Sequence, residues 1–254
     1  MTRDIILYFG SFNPPHNGHT AVARYVLEAG LCDELWFVVS PHNPLKNDAQ
    51  LAAGEDRLRM TEIAVGEQLA GLDAGVCDVE FHLPAPSYTI DTLEYLRRKF
   101  PQYMFSILAG TDVFESFDRW KEHRKLLSDY KIYVYPRAGY TLGEYGAAVT
   151  LLPDAPMFGC SSTDIRRRLL DGDDVGGMVS PGVLSYITYN KLWQPTVAFY
   201  LERARMHDRS GCMDKALNDY LRVQELDPTN TEAAQRITML REIFAYRHFD
   251  YYNP

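Results

Sequence analysis

The stretch from Ile5 to His19, IILYFGSFNPPHNGH, limits what this chain can fold into more than any other part of it. Ile5, Ile6 and Leu7 continue through Tyr8 and Phe9 as an apolar run suited to a buried strand. Gly10 marks a point where the backbone can approach a ligand closely. A helix is predicted to begin near Gly18, because Val22, Tyr25, Val26 and Ala29 recur at the spacing of one buried face. Its free N–H groups and positive dipole end then point back into the loop. His16 lies in that loop and His19 on the first helical turn, spaced H-x-G-H. Two imidazoles that can donate hydrogen bonds beside a helix N-terminus suit a polyphosphate whose charge rises in a transition state. In the plainer alternative His16 only caps the loop and His19 only packs on the strand.

Further apolar runs follow at Leu35 to Val39, Val76 to Phe81, Met104 to Leu108 and Ile132 to Tyr135. Helical patterns separate them, clearest over Glu55 to Leu69 and Thr89 to Phe100, the latter burying Leu93, Leu96 and Phe100 with Thr89 or Asp91 as its cap. Strand alternating with helix implies right-handed crossovers and a mostly parallel sheet with helices on both faces, an α/β fold. Ligands of such sheets sit beyond the carboxyl ends of the strands. A helix near Thr163 to Leu170 and another capped by Ser180-Pro181, carrying Val183, Leu184 and Ile187, close the domain.

The 254 residues, 46% hydrophobic and 24% charged, suffice for one sizeable core with a small appendage and read as a soluble protein. A formal net charge of −8 opposes nucleic-acid or anionic-membrane binding, so any phosphate site must be locally basic. Cys32, Cys77, Cys160 and Cys212 are scattered, which fits reduced thiols in a cytoplasmic protein rather than a disulfide frame or a metal site. Neither a charged-then-apolar leader nor a membrane-length apolar run is found.

Five segments together resemble the bacterial nicotinate mononucleotide adenylyltransferases of the H-x-G-H nucleotidyltransferase superfamily. They are the histidine loop, PHNPLK at Pro41 to Lys46, SYTIDTL at Ser87 to Leu93, the run from Ala109-Gly110-Thr111-Asp112 to Trp120, and SSTDIR at Ser161 to Arg166. The resemblance covers about residues 1–194. It implies a Rossmann-like domain that moves the adenylyl group of ATP onto nicotinic acid mononucleotide in NAD biosynthesis, with Mg²⁺ arriving on ATP. It implies His16, His19, Lys46 and Arg166 as catalytic residues. Gly10, Ser11, Phe12, Gly110, Asp112, Arg137, Ser162 and Thr163 would face ATP, and Tyr88, Thr89, Trp120 and Lys121 the nicotinate nucleotide. The residue types suit these tasks: Arg166 can fork onto phosphate oxygens, Asp112 can accept from ribose hydroxyls, and Trp120 offers a flat face for a ring. Three positions depart from the pattern: Phe9 for a first glycine, Asn13 for aspartate, and Leu45 for a histidine before Lys46. The last puts an apolar side chain in the 41–46 loop where relatives carry a polar one. An adenylyltransferase for nicotinamide mononucleotide, another H-x-G-H transferase, and an inactive nucleotide-binding scaffold are the alternatives.

Pro195 marks the expected boundary between the 1–194 domain and an all-helical 195–254 module. There Tyr200, Ala204, Ala216, Tyr220 and Pro228 fall at the spacings of one tetratricopeptide repeat, with Gly211 at its turn and a third helix capped by Thr229 or Asn230. A single repeat cannot bury its own apolar face, so the module is expected to find a partner surface: its own catalytic domain, a second copy of the chain, or another protein's peptide. The final aromatic run, Phe244 to Tyr252, looks suited to covering an apolar groove.

Overall fold

The computed structural model describes residues 2–41 and 50–252, with side chains as far as Tyr246. Contacts between residues divide the chain into two units, one comprising residues 1–169 and 173–193, the other 170–172 and 194–254.

The first unit is built on six parallel strands, β1 (Arg3–Gly10), β2 (Glu34–Val39), β3 (Ala74–Cys77), β4 (Tyr103–Gly110), β5 (Ile132–Tyr135) and β6 (Thr150–Leu151), in the order β3-β2-β1-β4-β5-β6. This is the doubly wound order whose reversal point, between β1 and β4, leaves a crevice at the strand ends. The apolar run of β1 is continuous because both its faces are covered. Ile6 and Tyr8 face one cluster with Val22, Val26, Phe37 and Val65, while Ile5 and Leu7 face another with Leu93, Leu96, Ile107 and Leu126. Helices α1 (Asn17–Glu28) and α2 (Gly54–Gln68) serve the first cluster, and α3 (Thr89–Lys99) and α4 (His123–Asp129) the second. Two further helices, α5 (Ser162–Asp171) and α6 (Pro181–Tyr189), pack Ile165, Val183 and Ile187 against Met60 and Ala64 of α2. Ser180 caps α6 by accepting from the Val183 N–H, with Pro181 as first helical residue.

Two local expectations are corrected. The run Val76 to Phe81 is not one strand: β3 stops at Cys77, and Val79–His82 is a 3₁₀ turn. Pairing ends there, with Cys77 opposite Val38, one residue before the end of β2, and the chain then turns. The cap of α3 is Tyr88, whose extended backbone (φ −114°, ψ 140°) leaves Thr89 already helical, and no side chain completes the cap.

In the second unit, α7 (Val197–Arg209), α8 (Met213–Leu226) and α9 (Thr231–Tyr252) follow one another. Gly211 turns the first pair with φ +75°, a conformation open to glycine, and the Asn230 side chain caps α9 by accepting from the Ala233 N–H. Tyr200, Ala204, Ala216, Tyr220 and Val223 pack on Ala233, Ile237 and Leu240. The repeat's apolar face therefore finds its cover within the unit, on α9, rather than requiring an outside surface. Tyr246 stands exposed, and the side chains of the aromatic run beyond it lie outside the described residues.

Candidate functional site at the histidine loop

After Gly10 the chain turns through Ser11, Phe12, Asn13, Pro14 and Pro15 into α1. Three carbonyls of this turn are bonded from inside the protein. Ser11 O accepts from Arg57 Nη1 at 2.7 Å, Asn13 O from Arg166 Nη1 at 2.8 Å, and Pro14 O from Ser162 Oγ at 2.9 Å. The loop's acceptor edge is thereby turned toward the protein. Asn13, 2% exposed, uses both ends of its amide: Oδ1 accepts from the Ala52 N–H at 3.0 Å and Nδ2 donates to Gln50 O at 3.2 Å.

His16 is the N-cap of α1. Its Nδ1 accepts from the Gly18 N–H at 3.1 Å, and the His16 N–H donates to His19 Nδ1 at 3.1 Å, a reciprocal box made by two imidazoles instead of a hydroxyl and a carboxylate. The rings lie 3.7 Å apart between centroids. Accepting at Nδ1 leaves the proton of each neutral ring on Nε2. The Nε2 of His16 is buried and has no hydrogen-bond partner. Burial, reinforced by the positive charge of Arg137, pushes the His16 imidazole down to about 3, so it is a neutral donor at pH 7. The capping and chemical readings of His16 are thus compatible: one nitrogen caps, the other is unspent. The glycine between the histidines is sterically required, since a Cβ at Gly18 would stand 2.7 Å from Phe158 Cβ and 2.9 Å from the His16 ring.

The space that a side chain at Gly10 would take is filled by the Phe12 ring, which a Cβ there would meet at 2.8 Å. The Phe12 ring is itself buried beside Tyr8, Phe37 and His19, and the residue sits at φ +45°. Any contact of Phe12 with a nucleotide must come from its main chain. Arg166 is 5% exposed and, besides Asn13 O, reaches Gln50 Oε1 at 3.4 Å and Thr163 Oγ1 at 3.4 Å. Its Nη1 is the arm directed at the loop. Thr163 is exposed at the start of α5, where Ser161 and Asp164 cap each other. Lys46 lies outside the described residues.

Across the β1/β4 reversal, Gly110 ends β4, and Asp112 Oδ1 lies 3.5 Å from Arg137 Nε, just past β5. Arg137 lies beside the Tyr135 ring, and the Tyr135 hydroxyl is 2.8 Å from that of Tyr8, buried under the loop. Gly110, Asp112 and Arg137 thus share one strand-end cluster whose charge reaches His16. At the start of α3, Lys121 Nζ bonds both Asp91 oxygens at 2.8 Å and lies 5.1 Å above the Tyr88 ring. Trp120 is half-buried against Phe117. Tyr88 and Lys121 are brought together, with Lys121 already engaged by Asp91.

Sequence reasoning missed Arg57 and Glu80. Arg57 could have been found: it shares the buried stripe of α2 with Met60, Thr61 and Ala64, where an arginine is out of place. Glu80, 3% exposed, accepts from Thr92 Oγ1 at 2.9 Å, and burial raises its carboxyl above the usual range.

The cytidylyltransferase-like family profile matches residues 7–168. A Bacteroides fragilis protein named "Probable nicotinate-nucleotide adenylyltransferase" is 42% identical over 183 residues, covering 71% of this chain and 89% of its own. A protein of the same name from Flavobacterium johnsoniae is 36% identical over 195 residues, covering 74% and 97%. Among solved structures, Plasmodium falciparum nicotinic acid mononucleotide adenylyltransferase complexed with NaAD matches with TM-score 0.63 at 21% identity, over 75% of this chain and 97% of that one.

Proposed function

The chain belongs to the cytidylyltransferase-like family, among its nicotinate-nucleotide adenylyltransferases, and from that premise we propose how residues 1–194 transfer the adenylyl group of ATP to nicotinic acid mononucleotide, giving deamido-NAD and pyrophosphate in NAD biosynthesis. A phosphate oxygen of the mononucleotide attacks the α-phosphorus of ATP. One P–O bond forms, the bond to the bridging oxygen of the β-phosphate breaks, and pyrophosphate leaves. No protein nucleophile is needed, so the chain's task is alignment and stabilisation of the charge that builds on the phosphates.

The observation that carries this reading is the buried, unpartnered Nε2 of His16 beside His19. A donor left unsatisfied in the free protein costs about 1–3 kcal/mol, which a phosphate oxygen recovers, most of all as its charge rises. The main chain of Gly10, Ser11 and Phe12, with Ser162 and Thr163, lines the triphosphate; Lys46 adds a positive charge; Arg166 shapes the loop. ATP comes as its Mg²⁺ complex, the ion neutralising the triphosphate. Gly110, Asp112 and Arg137 take the adenosine side. Thr89 at the α3 N-terminus, with Tyr88, Trp120 and Lys121, takes the nicotinate side, where a helix dipole and fixed donors favour a carboxylate over a carboxamide. Residues 195–254 act as a structural or assembly module, and the protein works in the cytoplasm.

The test is kcat/KM for nicotinic acid and nicotinamide mononucleotides side by side. A charged hydrogen bond is worth about 1.5–3 kcal/mol, so one such contact gives a preference for the acid of roughly tenfold or more. Equal or better use of the amide refutes the assignment of the acid. His16→Ala and His19→Ala should each lower kcat about 10²–10³-fold while staying folded.

A further inference from the structure

We infer that Arg57 is a positioning residue of the adenylyl transfer, holding the histidine loop to the end of β2 so that the loop presents its donors in one fixed geometry. This rests on the function proposed above. The guanidinium is fully buried, and among the described residues its acceptors are main-chain carbonyls. Nη1 donates to Ser11 O at 2.7 Å and Ser40 O at 2.6 Å, Nη2 to Pro41 O at 2.7 Å, and Nε to Ala52 O at 3.0 Å. One rigid planar fork therefore joins the turn after β1, the exit of β2 and the segment entering α2, all at the carboxyl edge of the sheet. Lysine has the charge but not the shape for this.

Stability alone does not account for such a group. Among the described residues Arg57 forms no ion pair with a carboxylate, and burying an arginine against neutral acceptors is costly beside an apolar side chain of similar volume. Its neighbours on the stripe, Met60 and Ala64, show the alternative that packing favours. Burial lowers the guanidinium to about 10, still leaving it charged at neutral pH. The same turn is gripped at Asn13 O by Arg166, so two arginines from two helices fix its acceptor edge from behind. The geometry they fix contains both histidines, and a displacement near 1 Å in such a site is worth on the order of 10²-fold in rate.

The test uses the full chain with Arg57→Lys, Arg57→Gln and Arg57→Ala, the last with and without millimolar guanidinium. Three readouts are taken: kcat and KM for both substrates, circular dichroism, and the ¹⁵N imidazole spectra of His16 and His19. The inference predicts folded variants with kcat lowered at least tenfold, KM changed less than threefold, displaced His16 ring-nitrogen shifts, and guanidinium restoring much of the turnover of Arg57→Ala. It is overturned by folded variants with wild-type kcat, by loss of turnover that only tracks the unfolded fraction, or by failure of all three to fold even with guanidinium, which would make Arg57 a folding determinant alone. Should the wild-type chain not turn over ATP and nicotinic acid mononucleotide, the function is wrong, and the histidine spectra still decide whether Arg57 sets the loop.

Discussion

Lowering the pH from 7.5 to 5.5 should weaken the first unit through one residue, His16. Folding holds this imidazole neutral, with its value pushed from 6.5 to about 3 by burial and the nearby Arg137 charge. The unfolded chain takes up a proton near 6.5 and the folded one does not. Stability is therefore complete above about 6.5 and is lost progressively as pH falls toward 3. At pH 5.5 the unfolded state gains a factor of about 11 from protonation, which is about 1.4 kcal/mol. Because the folded value lies far below 5.5, this figure is set by the unfolded imidazole. The reference is His16→Asn, which keeps a side-chain acceptor for the Gly18 N–H but does not titrate. Urea unfolding followed by tryptophan fluorescence isolates the first unit, since Trp36, Trp120 and Trp193 all belong to it. Between the two pH values the wild type should lose about 1.4 kcal/mol more than His16→Asn, a midpoint difference of roughly 0.5 M for a slope of 2–3 kcal/mol/M. Equal losses in the two proteins would refute the claim that folding keeps His16 neutral.

Asn13→Asp should destabilise the same unit by about 1–3 kcal/mol at pH 7.5, because the carboxylate still accepts from the Ala52 N–H but cannot donate to Gln50 O and faces that carbonyl in a buried site; urea unfolding against wild type checks it, and an unchanged midpoint counts against the reasoning. A chain ending at Gln194 should keep kcat per folded molecule while its melting temperature or oligomeric state changes, read by kinetics, thermal melting and sedimentation. Unchanged melting and mass with abolished turnover would place catalytic groups in the helical module.

The parts of this molecule that were legible in the sequence are those where a short pattern and its physical role coincide. The run Ile5 to Phe9 reads as a doubly buried strand because its residues serve two cores. The H-x-G-H string carries its own steric reason in Gly18. An apolar run says nothing of where its pairing ends, so Val76 to Phe81 concealed the break after Cys77. Caps depend on backbone angles, and Thr89, a good cap by type, stands one residue inside the helix that Tyr88 opens. Side-chain direction is the least legible: no pattern in the sequence says that Arg166 Nη1 bonds Asn13 O. Arg57 did leave a signal, a charge on an apolar stripe, whose meaning depends on three loops distant in sequence meeting at one point. The cover that α9 gives the repeat is likewise a matter of a third helix, which the spacing of one repeat does not encode.

On the proposal above, the histidine loop moves an intact adenylyl group directly from ATP to nicotinic acid mononucleotide. This is tested most directly with ATP labelled at the α-phosphorus, nicotinic acid mononucleotide and the full chain, following label in dinucleotide and in protein. Label should appear in deamido-NAD matched one to one by pyrophosphate, none should be bound to the protein at any time, and both signals should be lost together in His16→Ala. Label held covalently on the chain, ATP consumed without dinucleotide, or undiminished transfer by folded His16→Ala would contradict it.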